Sequence, residues 1–180
     1  GIRTDSYSPV NLLYSFIIEN MGSGINIYGN SSDLSVTYSL ISHNSQEGIY
    51  SSSPINLSFS NITFNEDNGI YSNSSNFNSI ENSIIWGNDL SSYQQIHTSS
   101  GVTSITYSSV QGLGSYGTYG SQYYFGDGAI DDDPVFVDDA QHLSYYSSCV
   151  DAGTPWINDF HMPFGLGGVR ADVGIYGGPG

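Results

Sequence analysis

Apolar and polar positions alternate along this chain in short stretches that return every 21 to 24 residues. The most regular stretch is the phrase Ser-x-Ile-x-x-Asn, which occupies residues 15–20, 39–44, 60–65 and 83–88 and returns in a weaker form at 108–112. Its asparagines are separated by 24, 21 and 23 residues. A period of this size fits one turn of a solenoid and no ordinary globular fold.

Each repeat contains two further apolar stretches. One begins with Gly-Ile, at residues 1–2, 24–25, 48–49 and 69–70, and Gln95-Ile96 replaces it in the fifth repeat. The other is formed by the pairs Val10/Leu12, Leu34/Val36, Ile55/Leu57, Phe77/Ile80 and Val102/Ile105. Gly, Asn, Ser and Pro separate the stretches, and helical periodicity is absent. We therefore predict an all-β fold, a right-handed single-stranded parallel β-helix of about five coils with an irregular C-terminal capping tail.

Alternation within each coil predicts which side chains point inward. Ile17, Ile41, Ile62 and Ile85, followed by Val110, should stack in the core at about 4.8 Å per coil. The structural asparagines Asn20, Asn44, Asn65 and Asn88 should lie at a corner, where Asn tolerates left-handed backbone and its amide can bond the next Asn in the column. The Gly before each Ile should supply a turn. Ile18, Ser42, Thr63, Trp86 and Gln111 are left as an outward column, so Ser42→Asp should be nearly silent.

The repeat ends near residue 112. Residues 1–112 are predicted to form the coils, and residues 113–180 a Gly/Tyr/Asp-rich tail that caps the same domain at its C-terminal end. Residues 113–128 read as a loop without a period. The first coil begins in the middle of a repeat, and an open sheet edge must be paired. We expect either a longer β-helix or a neighbouring subunit there, and head-to-tail contact would build a filament.

Four motifs occur in chain order: Asn-Ser-Ile-Ile-Trp-Gly-Asn at 82–88, Asp133-Pro134-x-Phe136, Cys149-x-Asp151-Ala152-Gly153, and Arg170-x-Asp172-x-Gly174-x-Tyr176-Gly177-Gly178. With these motifs, the chain from Gly24 onward resembles secreted bacterial right-handed parallel β-helix proteins, including those with a choice-of-anchor Q domain. The resemblance implies a surface or secreted protein whose β-helix closes with this tail.

Charge narrows the set of partners. The chain contains seventeen acidic residues, only two basic residues, Arg3 and Arg170, and no Lys, so its net charge is −15. Nucleic acid and anionic membrane surfaces are therefore poor partners, and cations or basic partners are favoured. The many Tyr, Ser, Asn and Gly residues are typical of an extracellular β protein. No apolar run approaches the ~20 residues of a membrane span, so we expect no membrane insertion.

The densest charge lies in the tail. Asp127, Asp131, Asp132, Asp133 and Asp138 supply hard oxygen ligands of the kind that Ca²⁺ prefers, which makes them a candidate calcium site. The spacing matches no EF-hand loop. In the alternative, Asp133 caps the turn before Pro134 and the other carboxylates are solvated.

Enzymatic and sugar-binding functions form the alternative class. Polysaccharide lyases of this shape generally need a basic residue beside Ca²⁺; this chain has no Lys, and Arg3 and Arg170 lie far apart in the repeat scheme. The acids on the coils share no column for a hydrolase pair. Glu19 and His43 are equivalent on successive coils and read as a surface ion pair. Tyr28, Tyr50 and Tyr71 could stack on sugars, but packing explains them better. We expect a non-catalytic extracellular structural or adhesive β-helix, either a filament subunit or a module of a larger surface protein; a carbohydrate-active or sugar-binding module is the alternative.

Overall fold

The chain forms a parallel β-solenoid of about five turns, which confirms the predicted fold class. The computed structural model describes residues 1–5, 8–29, 33–89, 91–92, 94–158, 165 and 168–176. The strands in these ranges are β1 (Ile2–Thr4), β2 (Val10–Leu13), β3 (Phe16–Ile18), β4 (Ile25–Ile27), β5 (Leu34–Thr37), β6 (Leu40–Ser42), β7 (Ile49–Ser51), β8 (Ile55–Ser58), β9 (Asn61–Thr63), β10 (Ile70–Ser72), β11 (Phe77–Glu81), β12 (Ile84–Trp86), β13 (Ile96–Thr106), β14 (Ser109–Val110) and β15 (Thr118–Phe125). The described part of the chain contains no helix that could cross a membrane.

Each coil contributes three parallel strands, one to each of three columns. The first column contains β1, β4, β7, β10 and the start of β13, and the second contains β2, β5, β8, β11 and the end of β13. Because β13 runs through both columns, they form one large sheet. The third column, β3, β6, β9, β12 and β14, forms a small sheet of its own.

The core lies where the repeat places its branched aliphatic residues. Ile17, Ile41, Ile62 and Ile85 are buried, and the three later ones are fully enclosed. Burial of one such side chain stabilises the fold by about 1.5–3 kcal/mol. The small sheet pairs Ile17 with Ile41 and Ile41 with Ile62, so these residues form one continuous row.

The second column departs from the predicted apolar pairs in its last two coils. Ile80 pairs with Leu57 and Ile105, which turns Asn78 inward and leaves Phe77 exposed. The fixed alternation of a strand allows no other outcome once Ile80 points into the core. Asn78 bonds there with Thr103 at 3.2 Å, so the buried amide has a partner.

Two left-handed bends flank every Ser-x-Ile-x-x-Asn phrase, but the Asn of the phrase forms neither of them; Asn82, directly before the fourth phrase, is the one asparagine with a positive φ in the described residues. The bends occur at the residue before the Ser, as at Tyr38 (φ 48°), and at the residue before the Asn, as at His43 (φ 55°). A non-glycine residue in this region costs about 1–2 kcal/mol. The sequence analysis predicted the second bend at the Asn of the phrase, one residue after its observed position. The hydrogen bonds of the Asn side chain outweigh its preference for left-handed backbone.

The Ser and Asn side chains hold the bends in register. Asn44 donates from Nδ2 to Asn65 Oδ1 at 2.8 Å, and its backbone amide donates to the same oxygen at 3.0 Å. The ladder runs from Asn20 to Asn88 and ends on Gln95 Oε1. A parallel series runs through the serines, as where the Ser39 amide donates to Ser60 Oγ at 3.0 Å.

The repeated Gly is required for space and not for a turn. A Cβ on Gly48 would lie 2.7 Å from Ile62 Cγ2 and 2.8 Å from Asn65 Nδ2. Its φ is not positive. The predicted conformational reason was therefore wrong: Gly is needed because the core column and the Asn ladder close against it.

Residues 113–130 continue the solenoid, although the sequence read 113–128 as a loop. Strand β15 pairs in parallel with β13, from Thr118 opposite Ile96 to Phe125 opposite Ile105, and Ile130 bridges to Ser109. Tyr123 fills the inward position and donates its hydroxyl to Tyr119 O at 2.7 Å. The sequence analysis missed this sixth rung because Tyr123 takes the inward position that an aliphatic residue usually occupies.

The rest of the tail turns back and packs along the outer face of the small sheet. Gly174 N donates to Asn82 O at 2.9 Å and Ile175 N donates to Asn61 Oδ1 at 3.1 Å. Outward-facing Ile84 is enclosed by Leu143 and Val173 of the tail. The tail is therefore a lateral cover, in contrast to the expected position over the last coil.

Candidate functional site

A buried side-chain amide, Gln141, is one of the contacts that hold the tail on the solenoid. Gln141 adopts φ 69° and inserts a side chain that is only 1% exposed. Its Nε2 donates to Ser42 Oγ at 3.2 Å and to Thr63 Oγ1 at 2.5 Å, and its Oε1 accepts from Asn61 Nδ2 at 3.1 Å.

This contact corrects the predicted outward column. Ser42 and Thr63 face outward as expected, yet both are buried, because the tail covers them. The prediction that Ser42→Asp is silent is therefore wrong. Ile18, one coil earlier in the same column, remains 46% exposed. Residue 141 lies outside the repeat, and nothing in the repeat signals that a polar outward position will be covered.

Three of the five candidate calcium ligands accept hydrogen bonds from other groups of the protein. Asp131 Oδ1 accepts from Gly112 N at 2.7 Å, and Asp133 Oδ1 accepts from Val135 N at 2.8 Å in the turn around Pro134. Asp138 pairs with His142 Nδ1 at 2.8 Å, and the backbone amide and ring of His142 hold the pKa of Asp138 below its usual value.

Asp127 and Asp132 are exposed. In the described ranges, no three His, Cys, Asp or Glu side chains are grouped so that they could hold a metal ion. Calcium binding stays a prediction.

A row of aromatic rings runs along the large sheet. Tyr50 lies between Tyr28 and Tyr71, with ring centroids 5.4 and 5.3 Å away, and His97 and Tyr119 extend the row at 4.6 and 5.0 Å. Burial within the row lowers the pKa of His97. Tyr50 and Tyr71 are stacked face to face, and the other neighbours contact one another at tilted or edge-on angles, which supports packing over sugar stacking.

Arg3 lies at the N-terminal end of this row. Its guanidinium carbon is 5.0 Å from the centroid of the Tyr28 ring, and its Nε is 3.9 Å from Asp5 Oδ1. Both charged side chains of this pair are largely exposed. A cation therefore lies at one end of the aromatic row, whose other end is Tyr119.

Along the solenoid, the described coils expose most of their large apolar side chains at the two ends, while the tail exposes a further set: Val135, Val137, Tyr145, Tyr146, Trp156, Ile157 and Val169. The middle coils each expose one described large apolar residue, whereas the first coil and the last rung expose several. Those of the first coil are Leu13, Tyr14, Phe16, Ile18 and Met21, and those of the last rung and its approach are Tyr116, Tyr119, Tyr124 and Phe125.

The strand edges at both ends are also available. In the described residues, β1, β2 and β3 each pair on one side only, with β4, β5 and β6, and β15 pairs only with β13. Sequence reasoning missed the edge at β15, because it placed the tail over the last coil.

Cys149 and His43 have structural contacts. Cys149 is fully enclosed among Ile84, Leu143 and Val173, and burial raises the pKa of its thiol to about 12. His43 Nδ1 lies 2.5 Å from Ser42 Oγ. Within the described chain it forms no ion pair with Glu19, which leaves the predicted surface pair unmade.

Comparison of the chain with protein-family models, with curated proteins and with solved structures finds no match.

Proposed function

We propose that this chain is a non-catalytic extracellular structural β-helix that associates end to end, with the last rung of one copy against the first coil of the next. The proposal rests on two features that occur together at both end coils in the described residues, namely exposed apolar side chains and strands that pair on one side only. Contiguous apolar surface rimmed by polar residues marks protein contact sites. The abundance of Ser, Asn and Tyr and the resemblance to secreted β-helix proteins of the choice-of-anchor Q type support a secreted or cell-surface location.

The register of the solenoid indicates how two copies would meet. Ile2, Ile25, Ile49, Ile70, Ile96 and Thr118 occupy one row of the first column. Extension of that row by one rung sets Thr118 of one copy beside Ile2 of the next. Tyr119 would then lie beside Arg3, an arrangement worth about 0.5–1 kcal/mol at an exposed site.

The second column gives a matching contact. Leu12, Val36, Leu57, Ile80, Ile105 and Phe125 form one row, so Phe125 of one copy would cover Leu12 of the next. Both edges run in the same chain direction, so the added contact is a parallel pairing like those inside the molecule. Such head-to-tail contacts do not close and build open filaments.

The test uses one blocked end at a time. Leu12→Asp puts a carboxylate on the first coil where Phe125 of the neighbouring copy would lie, and Phe125→Asp puts one on the last rung. A desolvated unpaired charge costs about 2 kcal/mol or more, which is roughly a 30-fold loss of affinity. In sedimentation velocity, wild type should grow with concentration, while each variant alone should remain monomeric.

An equimolar mixture of the two variants should form dimers, because each retains the end that the other lacks. Tyr146→Asp, on an exposed aromatic residue of the tail, is the control and should associate like wild type. A wild type that stays monomeric, or a mixture that fails to dimerise while both variants melt like wild type, would contradict the proposal.

A further inference from the structure

A cleft runs between the solenoid and the tail, centred on His43. Two adjoining cavities of about 390 and 350 Å³ share His43 and Asp139. Each lies within the size range of small-molecule sites. One wall comes from the bends of the small sheet and the other from tail residues 136–141, so the cleft exists only because the tail packs laterally.

Aromatic side chains form the body of the cleft. The Phe64 ring lies 5.4 Å from the His43 ring and meets Phe136 edge-on at 6.1 Å. Gly87 gives the Phe64 ring its place, since a Cβ there would lie 2.6 Å from a ring carbon. Phe64 stays 38% exposed, which is a free aromatic surface at the edge of the cavity.

Carboxylates surround this aromatic surface. Asp138 and Asp139 line the larger cavity, and Glu19 lines the smaller one beside Asp139. Neither cavity is lined by an Arg, and the chain has no Lys. Because the whole chain also has a net charge of −15, the cleft favours a positively charged occupant.

We infer that the cleft binds an amine of alkylammonium type, with its charged head at Asp139 and Glu19 and its apolar stem on Phe64 and Phe136. Aromatic side chains offer apolar surface to the stem, and carboxylates accept charge-assisted hydrogen bonds from the ammonium head. A neutral alcohol of the same length would make the apolar contacts and lose the charge. A carboxylate of the same length would be repelled.

The experiment compares three six-carbon probes by NMR titration of the full chain, with the ring signals of His43, Phe64 and Phe136 as the readout. Hexylammonium should give saturable shifts at all three rings. Hexan-1-ol should bind about fivefold more weakly, since exposed charge pairs contribute up to ~1 kcal/mol. Hexanoate should not bind. Nα-acetyl-lysine methylamide distinguishes the sources: binding equal to hexylammonium indicates the same chemistry on a protein side chain, and weaker binding indicates a free amine.

Charge removal completes the test. The double variant Glu19→Gln/Asp139→Asn should lower hexylammonium affinity about fivefold and leave hexan-1-ol unchanged. Asp127→Asn/Asp132→Asn removes the same charge elsewhere and should bind like wild type, and melting curves should match for all three proteins. Equal binding of alcohol and amine, equal loss in both double variants, or no saturable shift with any probe would overturn the inference.

Discussion

Replacement of Ser42 by Asp tests whether the tail truly covers the outer face of the small sheet. The sequence places this side chain in an outward column, where a charge costs nothing. The structure places it under Gln141, where only 1% of the residue is exposed. The two descriptions predict different stabilities for one substitution.

The magnitude follows from the contacts at the site. An Asp there must lose its hydration, and an effective penalty of several kcal/mol per buried ion applies. Gln141 Nε2 can still donate to the new carboxylate, and a hydrogen bond to a charged group returns about 1.5–3 kcal/mol. We expect a net loss of about 3 kcal/mol, which corresponds to a fall of about 6–12 °C in melting temperature for a chain of this size.

Ile18→Asp is the matched control, because Ile18 pairs with Ser42 in the same column but is not buried by the tail. It should melt within about 2 °C of wild type, as substitutions at exposed sites usually do. Hydrogen exchange at the Ile175 amide, which donates to Asn61, reports tail docking separately from global unfolding. A Ser42→Asp protein that melts like the Ile18→Asp protein, together with an Ile175 amide that exchanges freely in the wild-type protein, would refute the lateral position of the tail.

Three further outcomes are expected. Ile41→Asp should unfold several coils at once, because it places an unpaired charge at a fully enclosed position; circular dichroism that keeps the wild-type melt would contradict the core column. Cys149 has a folded pKa of about 12 against 9.0 unfolded, so the unfolded state binds fewer protons between these values and stability should fall as pH rises through this window; denaturant titrations at pH 8 and pH 11 should show a smaller fall for Cys149→Ala. If the Asp cluster around Asp131 and Asp133 binds Ca²⁺, EDTA should lower the melting temperature and added calcium should restore it; an unchanged melt would leave these residues with turn-forming roles only.

The columns of the solenoid could be predicted because their physics is local and repeated. Ile17, Ile41, Ile62 and Ile85 point inward in every coil, and a strand's alternation fixes that choice once one face is buried. One coil breaks the pattern at Phe77 and Asn78. The sequence analysis chose the apolar Phe77 as the inward residue, but the register with the neighbouring strands turns Asn78 inward instead.

The left-handed bends were misplaced for a related reason. Asn has a propensity for the left-handed region. In Asn44, however, the backbone nitrogen and Nδ2 donate hydrogen bonds to the neighbouring coils, and His43 forms the bend instead. Ladder bonds that recur in every coil outweigh a single-residue preference. Single-sequence propensity does not include bonds between coils.

The candidate surfaces were hardest to predict because they depend on where the tail goes. Gln141 reaches residues 42, 61 and 63, which are about 80 to 100 positions away in the chain. No local pattern encodes such a contact. The exposed edge at β15 was missed for the same reason, since it becomes visible only when the tail is known to leave the last rung sideways.

Electron microscopy of the protein at rising concentration tests the end-to-end proposal most directly. Six rungs of the large sheet at about 4.8 Å each give an axial advance of roughly 29 Å per chain. We predict unbranched rods that lengthen with concentration, with a 4.8 Å layer line continuous across subunit junctions and a repeat near 29 Å. Particles of single-chain size at every concentration, or assemblies joined through the tail side, would contradict it.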